Sequence, residues 1–150
     1  QIIDELRSND PGWGKGSKLS YLTSIIELLK VRANSLSEFI SQSDYFFTSP
    51  LSYDEKGMQK AWNDNSVNER IQLLLDKLSS LNFWEKEYLQ NIFELFVKEH
   101  DLGLGKIIMP IRLAVCGTLN GPAVYDILEL LGKDESLKRI NVALKELPKK

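Results

Sequence analysis

The sequence predicts an all-α fold, and three observations carry that expectation. Apolar residues recur at the three-four spacing of one-sided helices along most of the 150 residues. Helix-boundary residues such as proline, glycine and serine fall between those stripes. No stretch alternates apolar and polar residues between hairpin turns, as a half-buried strand would.

Taken in order, Leu22, Ile25, Ile26 and Leu29 predict a first amphipathic helix. Ser35-Leu36-Ser37-Glu38 is a capping box, which starts a short second helix that stops before the aromatic run Tyr45-Phe46-Phe47. Ile71, Leu74, Leu75, Leu78 and Leu81 form a third stripe. Trp84, Tyr88, Leu89, Ile92, Phe93 and Phe96 form a longer fourth one. Pro110 suits the first turn of a helix that Gly117 ends, and Pro122 and Gly132 frame the next in the same way. Asp134 caps the last helix, which faces Leu137, Ile140 and Leu144 inward. Loops are expected at 9–17, 48–53 and 100–106. The middle loop, with Ser49-Pro50, divides the chain into helical subdomains at 1–52 and 53–150.

Composition narrows the function classes. Lys and Arg number 19 against 21 Asp and Glu, a net charge of -2, so no overall charge draws the chain to nucleic acid. The charge is uneven: from Lys106 to Lys150 there are 8 positive and 5 negative residues, a net of +3. A nucleic-acid contact therefore belongs more naturally in the C-terminal third, although a solvated helical face gives the same asymmetry. The single cysteine, Cys116, excludes an internal disulfide and a multi-cysteine zinc site, and fits a cytoplasmic protein. No apolar run is long enough to span a membrane, and no signal peptide opens the chain. It begins at Gln1 rather than Met, as expected of a piece of a larger protein.

Catalytic chemistry has little to stand on. His100 is the only histidine, and beside Asp101 at a helix end it reads as a cap or a solvent-facing group. Cys116 follows Val115 on an apolar helix and reads as a small core residue. Gly12-Trp13-Gly14-Lys15-Gly16-Ser17 falls short of a phosphate loop. Asn9 stands where the first glycine belongs, and Gly16 stands where Ser or Thr must bind magnesium. The pairs Asp54-Glu55 and Asp134-Glu135 sit at helix starts, where the helix dipole explains them.

The segment from Leu102 to Leu144 carries the most specific pattern. A lysine turn at Gly105-Lys106 precedes Pro110-Ile111-Arg112-Leu113-Ala114-Val115-Cys116-Gly117. Then come Gly121-Pro122, an amphipathic helix, and Leu130-Leu131-Gly132-Lys133-Asp134 before a helix containing Arg139. This order resembles the C-terminal end of bacterial-type glutamyl-tRNA synthetases. Upstream, Arg32-Ala33-Asn34-Ser35-Leu36 resembles the family's R-x-x-[TS]-L. The run Tyr45-Phe46-Phe47 followed by Tyr53-Asp54-Glu55-Lys56 resembles its aromatic-then-acidic segment. The resemblance covers nearly the whole chain and is weakest over 1–18 and 57–100.

The resemblance implies the helical anticodon-binding region of a class I aminoacyl-tRNA synthetase, built as two packed subdomains. The ATP motifs of the type H-I-G-H and K-M-S-K-S are absent, so the region itself is expected to be non-catalytic and to hold no cofactor. ATP and magnesium belong to a catalytic domain of the same parent chain. The implied partner is the anticodon loop of tRNA for glutamate, with no role for DNA or a membrane. Site residues carry over at Arg32, Arg112, Gly121, Pro122 and Val124. Here glycine at 121 replaces a hydroxyl-bearing residue often found there, which leaves only a backbone contact.

The residues also support plainer readings. Arg32 suits a snorkelling arginine at a helix end, Arg112 an ion pair with Asp126 or Glu129, and Pro122 a simple helix-starting proline. An all-α protein-interaction module without an RNA role is the alternative function. A small metal- or nucleotide-dependent enzyme is disfavoured by one His, one Cys and a broken phosphate loop.

Overall fold

The computed structural model describes residues 18–30, 35, 42–63 and 65–147. Every regular element among them is helical. They are α1 (Lys18–Leu29), a 3₁₀ turn (Asp44–Phe46), α2 (Glu55–Ala61), α3 (Asn65–Ser79), α4 (Lys86–Glu99), α5 (Gly105–Cys116), α6 (Val124–Leu131) and α7 (Lys133–Glu146). The expected second helix from Ser35, the 12–17 turn and Arg32 lie outside the described residues.

α5 is the centre of the packing. It is apolar on nearly all sides, and Ile107, Ile111, Leu113 and Val115 are fully buried. A helix of this kind is stable only when neighbours surround it. α2, α3, α6 and α7 pack against it, while α4 lies on α3 and α6. α1 and the 3₁₀ turn rest on α6. The apolar stripes behave as their spacing predicts: Leu22, Ile25 and Leu29 of α1 and Ile71, Leu74 and Leu78 of α3 are buried.

Several local expectations change. α5 begins at Gly105, so Pro110 lies inside the helix rather than in its first turn. Pro122 stands before Ala123, the residue that precedes the first helical position, Val124. Asp134 sits in the first turn of α7, and Gly132 holds the cap position. Tyr88 is half exposed and packs on Phe83, with ring centroids 5.7 Å apart, instead of joining the core. The aromatic run forms the 3₁₀ turn itself, burying Tyr45, Phe46 and Phe47.

Candidate functional site

Two helix ends and two loops surround a cleft of about 520 Å³. Its walls are the end of α1 at Leu29, the 3₁₀ turn, residues 48–52, the C-terminal end of α5 and the Asn120–Pro122 stretch. Gly117 makes the end of α5 possible. Its φ of +78° is left-handed, and its amide donates to the Leu113 carbonyl at 2.8 Å, closing the helix. The Gly117 carbonyl then accepts from the Asp54 amide at 2.8 Å, while the Asp54 carboxylate accepts from the Gly57 amide and caps α2. The start of α2 is thereby fixed to the cleft.

The wall at 121–122 is held from behind. Arg112 donates from Nη1 to the Pro122 carbonyl at 2.6 Å. Gly121 has φ +146°, and a Cβ there would lie 3.2 Å from Arg112 Nη1 and 3.3 Å from Tyr45 Oη. Glycine is required by its backbone and by its neighbours at once. The structure therefore brings Arg112, Gly121 and Pro122 together at one edge of the cleft. Val124 lies just beyond them with its side chain turned into the core, 1% exposed. The ion pair that Asp126 makes is with Lys86, at 3.2 Å.

Beneath the cleft is a buried charged pair that the sequence reading did not single out. Arg139 donates from Nε to Glu135 Oε2 at 2.6 Å, and from Nη1 to the carbonyls of Tyr45 and Val115, both at 2.7 Å. Glu135 also accepts from Ser49 Oγ at 2.8 Å. One pair thus ties together the 3₁₀ turn, the 48–52 loop, the end of α5 and α7. The signal for it was the i, i+4 spacing of Glu135 and Arg139, with the acid on the N-terminal side.

Burial pushes the Cys116 thiol up to about 12, against the lowering effect of Arg112 and Arg139, so it stays protonated and unreactive at neutral pH. His100 closes α4 and packs on Phe96, with ring centroids 4.2 Å apart. Among the described residues, no group of three or more His, Cys, Asp or Glu is placed to hold a metal. No helix among them is long and apolar enough to cross a membrane.

Comparison with known proteins identifies the scaffold. Residues 2–144 match the family model described as an anticodon binding domain. The chain is 36% identical over 127 residues to the glutamate--tRNA ligase of Christiangramia forsetii, covering 85% of this chain and 25% of that protein. It is 34% identical to that of Flavobacterium johnsoniae, covering 89% of this chain and 26% of the relative. The crystal structure of a glutamate tRNA ligase from Elizabethkingia meningosepticum superposes with a TM-score of 0.80 at 34% identity, over 89% of this chain and 26% of that one. The chain spans about a quarter of the length of the curated relatives it matches. It belongs to the anticodon-binding-domain family, and the relatives it matches here are glutamate--tRNA ligases.

Proposed function

We propose that the chain is the anticodon-reading part of a cytoplasmic glutamate--tRNA ligase and binds the anticodon loop of tRNA for glutamate. The observation that carries this reading is the cleft walled by Gly121 and Pro122, with Arg112 bonded to the Pro122 carbonyl behind them. An anticodon is single-stranded, so its bases can splay into a hollow and expose their Watson–Crick edges. The cleft has room for a splayed base, and its walls combine a proline ring, a backbone turn and the small polar residues Thr48, Ser49 and Asn120.

Within this reading Gly121 offers backbone contact and Pro122 a flat face at the wall. Arg112 keeps further guanidinium donors for the loop beyond the one it gives Pro122. Val124 acts at the base of the same turn, supporting it from the core. Arg32 reads the last anticodon letter. Unpaired cytosine presents O2 and N3 as adjacent acceptors, whereas uracil has a donor at N3, and a guanidinium fork matches only the first. The cleft is lined by described residues from both sides of the 52/53 division, as the reading of subdomains at 1–52 and 53–150 requires. Adenylate chemistry, with ATP and magnesium, belongs to a catalytic domain elsewhere in the parent chain, so this chain alone neither activates glutamate nor exchanges pyrophosphate.

The test uses synthetic anticodon stem-loops that end the anticodon in cytosine or uracil. Wild-type chain should prefer cytosine, and Arg32→Ala should shrink that preference by about 1–3 kcal/mol, the worth of one bidentate base contact. Arg32→Lys should recover charge but little discrimination. Equal binding of both stem-loops by wild type, or no salt-dependent RNA binding at all, would favour the protein-interaction module.

A further inference from the structure

Among the described residues the cleft has one charged lining residue, the carboxylate of Asp44. Bases can enter such a hollow, but phosphates need cations somewhere else. A second hollow of about 370 Å³ lies at the opposite end of α5 and meets that need. Lys60 of α2, Arg70 of α3 and Lys106 of α5 all line it, and among the described residues no carboxylate does. Arg70 is fixed at the wall by its Nη1 bond to the Lys106 carbonyl at 3.2 Å, which leaves other guanidinium donors uncommitted by that bond. Neither Lys60 nor Lys106 has an ion-pair partner among the described residues.

Gly103 and Gly105 border the same hollow. Neither has a positive φ, and a Cβ on either would meet nothing within 4 Å. Backbone conformation and packing are therefore both indifferent to glycine at these positions. What glycine leaves there is an open approach to the three cations.

The geometry points to a phosphate-binding site made by Lys60, Arg70 and Lys106, which takes a backbone phosphate of the RNA whose bases occupy the cleft. The source of the phosphate rests on the RNA reading above; the anion chemistry stands without it.

Two variants of the full chain test the site with an anticodon stem-loop as probe. Lys60→Ala/Lys106→Ala removes two cations. Gly105→Glu places a carboxylate in the hollow at the first position of α5, where an acidic residue favours the helix. Each should weaken stem-loop binding by about 5- to 10-fold near 50 mM salt, and make the log–log salt dependence shallower by about 0.7–0.9, one phosphate contact. The Tm of Gly105→Glu should hold or rise, which a merely structural effect would not give alongside lost affinity. Cytosine preference should be unchanged in both. A titration of wild type with inorganic phosphate, followed by amide NMR, should shift Gly103, Gly105 and Lys106.

Phosphate-induced shifts with an unchanged RNA salt slope would mean a site for free phosphate and overturn the RNA part. No shifts and an unchanged slope would overturn the site altogether. Should Arg32→Ala leave base preference intact while these variants still flatten the slope, the cleft reading fails and the phosphate site stands.

Discussion

Arg70 supplies the Lys106 carbonyl with the hydrogen bond that Pro110 denies it. In an unbroken helix that carbonyl would accept from the amide of residue 110, but proline has none. Arg70 Nη1, from α3, donates to it at 3.2 Å instead. The bond lies near the surface, so water competes for the same acceptor and the net effect is small. Arg70→Ala should cost about 0.5–1 kcal/mol by denaturant unfolding. In a Pro110→Ala background, where the helix regains its own donor, the same change should cost less. Equal costs in the two backgrounds would mean that the two residues are not coupled.

The Glu135–Arg139 pair should behave differently, because it is almost fully removed from solvent, with Arg139 2% and Glu135 7% exposed. Arg139→Ala takes the donor from two buried carbonyls and the counter-charge from the buried Glu135 carboxylate, which keeps only its bond from Ser49 Oγ, and should destabilise by about 3–5 kcal/mol. Replacing both partners with leucine removes the stranded charge, so the double variant should be more stable than either single Ala change. It should still lose stem-loop binding, since Tyr45 and Ser49 are no longer tied to the floor of the cleft. Equilibrium unfolding and RNA titration on the same three variants separate the two effects.

Much of the scaffold was legible in the sequence, and the exceptions share a cause. Ile71, Leu74, Leu75 and Leu78 announce the buried face of α3 by spacing alone, and Gly117 and Gly132 mark helix ends correctly. Pro110 misled because its missing amide is offset by an arginine that is remote in sequence and belongs to another helix. Arg139 was invisible as a hub for a similar reason: its carbonyl partners are 94 and 24 residues away, and no local pattern encodes them. Local spacing would equally suit a surface ion pair. The bond from Arg112 to the Pro122 carbonyl was not legible, because the two residues belong to different elements and no local spacing pairs them. The inward side chain of Val124 follows from its spacing with Ile127, Leu128 and Leu131, all buried on one face of α6.

Alkaline pH should expose the cost of burying Cys116. Its thiol is raised from 9.0 to about 12 in the fold, chiefly by desolvation. Between those values the unfolded chain releases the proton and the folded chain keeps it. Stability is therefore fully present below about pH 9 and falls as pH rises, at about 1.4 kcal/mol per pH unit from this group. Burial also raises Tyr53 and Tyr125 above 10.0, which adds the same sign at higher pH. Unfolding measured from pH 8 to 10 should show Cys116→Ala with a flatter decline than wild type, whatever its stability at neutral pH. Parallel curves would show that the thiol ionises as readily in the fold as in the unfolded chain.

Gly121 joins stability to readout in one residue. A serine there would restore the hydroxyl that the resemblance places at this position, but φ of +146° strains any side chain, and the new Cβ would crowd Arg112 Nη1 and Tyr45 Oη. Gly121→Ser should therefore cost about 1–3 kcal/mol of stability, unless the turn moves to a new backbone conformation. Arg112→Ala removes one of the groups that the Cβ would meet and frees the Pro122 carbonyl. In that background Gly121→Ser should cost measurably less, giving a positive coupling in a double-mutant cycle. The same four proteins, titrated with the anticodon stem-loop, report on function. If the turn itself presents the binding wall, Arg112→Ala should weaken RNA even when Tm is nearly unchanged, and Arg112→Lys should recover only part of the loss, because an ammonium lacks the second arm of the fork. RNA binding that tracks Tm across all four variants would instead make Arg112 a support for the fold alone.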